Sequence, residues 1–408
     1  MRTGWIRLWQ CLAWGGIGLS LYAGWLTVGD VRDRAAGERA IAQACDRLVS
    51  GAAVMDLHGG TVRARPSEYD RIDVREPRSS CTVYQASASG GTTGLFTLAV
   101  RGSDKTEPLN WIGDDTEPFA LRDAAERTAK TDLTAVADLR TEPRPLGDGT
   151  LGWYGNRYAT VRAECGPGSS AAAPPLLHIT AGADYDDVSG ADRARLARIA
   201  RSAAENLTHR IGCRTRLPAL PGGQPAPVPT VLRSARSAGG SCAWFAGYLR
   251  RPGHGPLPDR ALAVPVRDTT PLESCLLAVS PGQVRHTAGG LPEDKRELAD
   301  GAVTHSPWWL RMATYTGAEA HAVGFDPLDG EDVVIEPGTA GHTHDAWWAS
   351  SVCGGEPAVH TLSTSYAYDD ALGGRTVSAL FRAYVDDFTE RRGCTRVKYP
   401  DAADFGDR

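Results

Sequence analysis

ADRARLARIARSAAENLTHRIGC, residues 191–213, and GRTVSALFRAYVDDFTERRGC, residues 374–394, decide how this chain is read. Each segment ends on Gly-Cys. Aligned on that cysteine, Leu196, Ile199, Ala200, Ala203 and Leu207 meet Val377, Leu380, Phe381, Tyr384 and Phe388. Both sets recur at i, i+3, i+4, i+7 and i+11, which is one apolar stripe of a helix. Small residues in one set oppose large ones in the other, as expected when two related cores have repacked. Just upstream, LLHITAGADYDD (176–187) and AVHTLSTSYAYDD (358–370) read as strands leading into those helices, with Tyr185 meeting Tyr366.

The cysteines extend the repeat. Apart from Cys11 they fall into two quartets, Cys45, Cys81, Cys165, Cys213 and Cys242, Cys275, Cys353, Cys394. The gaps are 36, 84 and 48 residues in the first and 33, 78 and 41 in the second. Two unrelated quartets would rarely agree so well, so the spacing predicts a duplicated, disulfide-pinned domain. Each quartet allows three pairings. Neighbours in order are expected, Cys45–Cys81 with Cys165–Cys213 and Cys242–Cys275 with Cys353–Cys394. The reason is that Cys165 and Cys353 each begin a turn after a strand-like run, and the strand and long helix that follow return to a closing cysteine. Loops of this size contribute roughly 3–4 kcal/mol per bridge through loop closure in the unfolded chain.

At 408 residues, 42% hydrophobic and 23% charged, the chain has room for two or three folded domains, and disorder over most of its length is not expected. Net charge is −5, so no basic field is available to hold nucleic acid by its phosphates. Of its 44 basic residues only 4 are Lys, the codon bias of a high-GC genome rather than a functional signal.

From Leu8 to Gly29 there are 22 uncharged residues, enough to span a bilayer. Arg2 and Arg7 precede the stretch, and Asp30, Arg32, Asp33 and Arg34 follow it with no positive excess. The positive-inside rule then predicts a single-pass cell-membrane protein with its N-terminus in the cytoplasm and its bulk outside. A cleaved signal peptide is the alternative; the apolar run exceeds the usual h-region and no A-x-A site follows it. Gly16, Ser20 and Gly24 share a helix face, a spacing that lets two membrane helices approach and form a dimer, although glycine is also simply common in membrane helices.

The expected organisation is a cytoplasmic stub and transmembrane helix (1–29), a polar helical stalk (30–44), a first domain (45–213), a Pro-rich linker (214–230), a second domain (231–394) and a polar tail (395–408). LPALPGGQPAPVPT (217–230) carries five prolines and reads as an extended spacer between independently folding halves. Strands are expected over 81–86, 95–101, 158–165 and 176–181 in the first copy. In the second they are expected over 274–279, 309–314, 332–336, 346–353 and 359–363. The fold class is α+β, each copy an antiparallel sheet covered on one face by its long C-terminal helix.

CDRLV (45–49), VMDLHGG (54–60), CTVYQ (81–85) and LFTLAV (95–100) together resemble the start of actinobacterial LpqN-type lipoproteins, whose fold is PsbP-like. There too a cysteine opens a short helix and a second cysteine leads a strand. In the second copy SCLLAV (274–279) fits, whereas CAWF (242–245) lacks the helix pattern. As a whole the chain resembles Streptomyces-type membrane-anchored envelope proteins. The resemblance implies an envelope accessory or binding role without a known reaction; this chain departs from it in using a membrane helix where those proteins use a lipid.

Chemistry-bearing motifs are few. GDGTLG (147–152) spells G-x-G-x-x-G, but Pro143 and Pro145 precede it and a strand follows, so a hairpin turn is expected instead of a phosphate loop. HTHD offers the best metal candidates, His342, His344 and Asp345, with His360 or His321 as a third ligand. The first copy has Tyr154, Asn156 and Arg157 in that region, so such a site would belong to the second copy alone. His178 and His360 lie one position apart in the aligned strands and suggest cross-strand packing. The acidic runs 184–187 and 368–370 precede the long helices and suit their N-termini. Asp326–Asp332 fails the calcium-loop template, and Asp329-Gly330 reads as a hairpin turn. In the pairs Trp153-Tyr154, Trp308-Trp309 and Trp347-Trp348, one ring of each is expected in the core with its neighbour exposed on an interaction face, or both are packed in the core under loops.

The function expected is that of a non-enzymatic envelope protein whose paired extracytoplasmic domains bind a protein partner or a cell-wall component, with no cofactor. The alternative is an envelope hydrolase, metal-dependent if HTHD binds an ion, with its site in the second domain.

Overall fold

The computed structural model describes residues 14, 22, 25, 27–76, 78–87, 89–104, 107–113, 117–119, 132–250, 257–326 and 332–406. Gly16, Ser20 and Gly24, most of Leu8–Gly29, and the Asp329-Gly330 turn lie outside them. Among the described residues no helix is long and apolar enough to cross a membrane.

A helix over residues 27–44 (α1) leads to α2 (Gly51–Met55) and to the strands β1 (Ala64–Pro66), β2 (Arg78–Ala86), β3 (Thr92–Gly102), β4 (Asn110–Gly113), β5 (Arg144–Pro145), β6 (Gly152–Tyr154), β7 (Tyr158–Glu164) and β8 (Leu176–Ala183). Helix α3 (Gly190–Arg210) closes the first half. The second half runs β9 (Arg233–Ser234), α4 (Ala243–Tyr248), β10 (Arg260–Ala263), β11 (Leu272–Ala278), α5 (Pro281–Ala288), α6 (Glu293–Thr304), β12 (Trp309–Thr316), β13 (Val323–Asp326) and β14 (Val333–Val334). It ends with β15 (Gly341–Thr343), β16 (Ala346–Cys353), β17 (Glu356–Thr364), α7 (Tyr368–Leu372), α8 (Gly374–Arg392) and β18 (Thr395–Lys398).

The protein is α+β. Its first sheet has the order β1-β2-β3-β8-β7-β6-β5 and its second β15-β16-β17-β12-β11-β10-β9, with β18 paired to β16. All neighbours within each sheet are antiparallel. Read from β10 to β15, the second sheet follows the strand order that the first follows from β1 to β6. Leu196, Ile199, Ala200, Ala203 and Leu207 of α3 are buried on the first sheet, as are Val377, Leu380, Phe381, Tyr384 and Phe388 of α8 on the second. The four disulfides are Cys45–Cys81, Cys165–Cys213, Cys242–Cys275 and Cys353–Cys394, the expected pairing.

Three expectations about the organisation are corrected. First, the halves are not merely spaced. β4 of the first half pairs in parallel with β13 of the second, and β14 completes a three-stranded sheet to which both contribute. Second, the Pro-rich segment is not a free spacer. It lies along the first half: Val228 is buried in that core, its N–H and C=O bond the Asn156 side chain at 2.8 and 2.9 Å, and Pro218 and Pro225 accept from Arg201 and Arg193. Proline removes donors, but its carbonyls remain good acceptors for arginines on α3. Third, residues 395–406, expected as a polar tail beyond the second domain, are part of its fold. β18 extends the sheet, and Phe405 is buried against Trp347 with ring centroids 5.5 Å apart. The stalk, too, docks at its end. Ile41 is buried in the first core, and Arg34 bonds Asp56 at 2.5 Å.

The second sheet is consequently covered on both faces, where coverage of one was expected. Helix α8 packs on Leu277, Leu310, Met312 and Leu362. On the other face Leu276, Ala278 and Trp309 meet Phe119 and Ala137 of the first half.

Candidate functional site

The halves meet through polar groups that have left water, which is costly unless every group finds a partner. Glu319 has no exposed surface. It lies in a 3₁₀ turn, Gly317–Ala322, and all its described partners come from the first half. Asn110 Nδ2 donates at 2.8 Å, Arg162 Nε at 3.0 Å and His178 Nε2 at 3.0 Å. A carboxylate only accepts, so Nε2 of His178 carries the proton. Burial pushes the Glu319 carboxyl up, but the charge and hydrogen bond of His178, with Arg162 and Asn110, outweigh it and hold it down at about 2. Around this knot, Arg260 grips Asp132 with two bonds of 2.6 Å, Trp309 Nε1 donates to Glu117 at 2.9 Å, and Arg311 Nε donates to Glu142 at 2.8 Å.

Beside the knot the two sheets enclose a cavity of about 240 Å³, lined from both halves. Its floor is the outer face of the second sheet, where the cross-strand row Ser274, Ala313 and Thr361 is small. Tyr315 and Arg311 bound that row. The roof is β4 together with Arg140–Pro143, Trp153 and Tyr158. Arg101, Arg140 and Arg311 face two carboxylates, Glu142 and Asp326, among the described lining residues. Burial and then the neighbouring Arg311 lower the proton affinity of Arg140. Burial likewise raises Tyr315 to about 12, although Arg140 and Arg311 oppose it. The Ser274 side chain is buried, and its hydroxyl has no hydrogen-bond partner.

The sequence candidates fall elsewhere. His342 pairs with Asp404 at 3.1 Å, while His344 turns to its neighbour Asp345 at 2.6 Å. The two imidazoles thus have different partners. Among the described residues no group of three His, Cys, Asp or Glu is placed to hold a metal ion. His360 is fully buried on the helix-facing side of β17, with Nδ1 2.8 Å from Thr314 Oγ1 and Nε2 2.9 Å from Ser351 Oγ. Burial lowers it to about 3. Such an imidazole is a feeble base at neutral pH, so the Ser351–His360 contact is a core network extended by Tyr384 through Thr314. His178 and His360, one position apart in the aligned strands, therefore face opposite sides of their sheets.

The GDGTLG run is a turn between β5 and β6, as expected. Gly149 takes φ +97°, and a Cβ there would meet Thr270 Oγ1 at 2.4 Å, so this turn touches the second half. The aromatic pairs mostly follow the second of the two expectations, with both rings packed away from solvent. Trp153, Tyr154, Trp308, Trp309 and Trp347 are all buried, and Trp348 is partly so. One ring of a pair does enter a core, as Trp308 and Trp347 do. Its neighbour enters the contact between the halves, as Trp309 and Trp153 do; Trp153 stands edge-on to His178. These rings mark an interaction face whose partner is the same chain. Glu319 and the small row Ser274–Ala313–Thr361 were not singled out in sequence, because nothing local distinguishes them.

No family model, curated protein or solved structure matches this chain.

Proposed function

We propose that the protein is a non-enzymatic, single-pass envelope protein, its N-terminus in the cytoplasm, whose two extracytoplasmic halves arose by duplication and bind a cell-wall component in the cleft they share. The cleft carries this reading. Both halves line it, and a half-enclosed space of about 240 Å³ suits a small group or chain end, not the broad face a protein partner needs. Duplication is supported by the shared strand order and the matching disulfides. Four bridges favour an oxidising compartment. The charge layout around Leu8–Gly29 favours the membrane span, as do the exposed rings of Trp14, Tyr22 and Trp25 within it. The LpqN-type resemblance points to the same envelope setting. The hydrolase alternative needs His342, His344, Asp345 and His360 to act together; His342 pairs with Asp404, His344 with Asp345, and His360 is engaged by Thr314 and Ser351.

The test is co-sedimentation of the detergent-solubilised full chain with purified sacculi, beside a cleft-filling Ala313→Leu variant. Wild-type protein should pellet and the variant should stay in the supernatant. Equal pelleting of both, or of neither, overturns the reading. Topology is checked by fusing alkaline phosphatase after Arg34, where an inactive fusion would place the bulk inside.

A further inference from the structure

We infer that Cys353–Cys394 is an exchangeable disulfide, opened by a dithiol that attacks Cys394 and displaces Cys353, while the other three bridges are structural. Neither cysteine lines the cleft between the halves.

Access is the first observation. Cys45, Cys81, Cys242 and Cys275 are fully buried in the two cores, and Cys213 is buried in the first. Cys353–Cys394 is the one bridge of the four in which neither residue is buried. Its cysteines adjoin Gly354-Gly355 and Gly393, all at positive φ, and a Cβ on any of these glycines would meet nothing within 4 Å. A cavity of about 250 Å³ also reaches Cys353, between Glu356, Phe388 and Arg392. A thiolate must reach a sulfur to exchange with it, and exposed bridges are the labile ones.

The second observation is a row of donors that ends on one sulfur. Ser351 Oγ lies 3.5 Å from Cys353 Sγ and 2.9 Å from His360 Nε2. A disulfide sulfur carries no hydrogen, so in this contact the hydroxyl donates. With its one hydrogen committed there, Ser351 accepts from Nε2–H of His360. Nδ1 then accepts from Thr314 Oγ1 at 2.8 Å, and Thr314 accepts from the Tyr384 hydroxyl at 2.8 Å. Every hydrogen in the row Tyr384–Thr314–His360–Ser351 is thereby directed toward Cys353. Donors aligned in this way strengthen one another and favour a thiolate at the sulfur they meet. Cys394 is placed oppositely. It follows the C-terminal end of α8, where the helix dipole disfavours negative charge. Cys353 is therefore the better leaving group, and Cys394 the sulfur attacked.

The exchange balances with the dithiol as reductant. Its first thiol loses a proton to water, and the thiolate electron pair forms a bond to Cys394 Sγ. The Cys353–Cys394 bond breaks, and its pair leaves on Cys353 Sγ beside the Ser351 hydroxyl. The second thiolate attacks the dithiol's own sulfur in that mixed disulfide and releases Cys394. Both cysteines take up protons, so two electrons and two protons pass to the protein. The fold has other ties at this point. β18, which follows Cys394, pairs with β16 at Ser350 and Val352, and the buried Tyr384 and Phe388 hold α8 to its sheet.

The test equilibrates the detergent-solubilised full chain with graded ratios of reduced to oxidised dithiothreitol and scores each bridge by alkylation and peptide mapping. Cys353–Cys394 should be half-open at a ratio roughly tenfold or more below the other three, which is about 30 mV for a two-electron couple. The form with that bridge alone open should still melt cooperatively. Another bridge opening first, or all four opening in one step, overturns the inference. In the form with only this bridge open, Cys353 should be alkylated as a thiolate at lower pH than Cys394; the reverse order overturns the choice of leaving group. Ser351→Ala removes the last donor and should slow opening about tenfold, whereas Ser351→Thr keeps a hydroxyl and should restore the wild-type rate. Equal rates in all three proteins overturn the role of the donor row. Should Ser351→Ala not fold, the alkylation order in the wild-type protein decides.

Discussion

The two sheets follow one strand order, yet their strands are used differently. In β2 only Cys81 and Val83 are buried, and the residues between and beyond them are part-exposed or exposed. Its counterpart β11 is buried without a break from Glu273 to Ala278. A strand with one wet face alternates, whereas a strand covered on both faces becomes a continuous apolar run. CTVYQ against CLLAV is that difference written in sequence. At β2 the first sheet has its helix alone, whereas β11 of the second has the first half as a lid. On the duplication proposed above, one copy changed into the half that is enclosed.

The most direct way to break this contrast is to cut the chain. Expressed in an oxidising compartment, residues 40–230 should fold and melt cooperatively, because they hold the core between their sheet and α3 together with Val228 of the Pro-rich segment. Residues 229–406 should not behave alike. Separation uncovers Trp309, Leu276 and Ala278 and leaves β13 without β4. Each large apolar side chain returned to water costs roughly 1.5–3 kcal/mol, and an unpaired edge invites aggregation. The second fragment should aggregate, or melt about 10 °C or more below the intact chain. A monomeric second fragment melting with the intact protein would show that its lid is dispensable.

Much of the fold was legible, and the illegible part has a physical reason. The strands over 81–86, 158–165, 176–181, 346–353 and 359–363 were read from local apolar pattern, and β2, β7, β8, β16 and β17 cover them with small shifts at their ends. The repeat left three pairings per quartet, and the turns beginning at Cys165 and Cys353 pointed to the order observed. What escaped was everything between the halves. β4 is the four residues Asn110–Gly113, too short to carry a period. Glu319 sits in GAEAHA, which resembles a solvated turn; its partners His178, Arg162 and Asn110 are 141, 157 and 209 residues away in sequence. No window spans such distances. HTHD misled for the opposite reason, since its spacing fitted a ligand pair while its environment gave each imidazole a separate carboxylate.

Glu319 gives a sharper cut that leaves the chain whole. Glu319→Ala strands His178 in the interface without its carboxylate and leaves Arg162 with Glu164 alone, and breaking a buried pair from one side costs about 3–5 kcal/mol. Denaturant unfolding should show that loss, accompanied by earlier hydrogen exchange in β4 and β13 than in β3. A loss below 1 kcal/mol would mean that apolar contacts alone hold the halves together.

Acid should separate the second core from the contact between the halves, because His360 and Glu319 answer protons differently. His360 has a folded value of about 3, below its ordinary 6.5, so the unfolded chain takes up the proton first. Its contribution is therefore complete above 6.5 and is lost as pH falls toward 3, at about 1.4 kcal/mol per pH unit. Glu319 is also depressed, to about 2 from 4.5, so its contribution persists to pH 4.5 and fades only below it. Between pH 6.5 and 4.5 the second core should weaken while the contact between the halves holds. Melting followed across that range should show a steeper slope for wild type than for His360→Gln. Equal slopes would place the acid sensitivity elsewhere.

The smallest expected effect lies at the start of the two long helices, which the repeat aligns and the structure begins in different ways. Ser189 caps α3, its Oγ accepting from the Asp192 N–H at 3.1 Å while the Asp192 carboxylate returns to the Ser189 N–H at 3.4 Å. This capping box satisfies donors that a helix start leaves open. Helix α8 has no side-chain cap; it begins at Gly373, with φ +76°, directly after α7. Packing stands in for the cap there, since a Cβ on Gly374 would meet the Phe405 carbonyl oxygen at 1.5 Å. Ser189→Ala should thus cost about 1 kcal/mol, or roughly 2–4 °C in Tm, with the Cys165–Cys213 bridge intact. A change below a few tenths of a kcal/mol would show that α3, like α8, is fixed by what it packs against and that its cap is incidental.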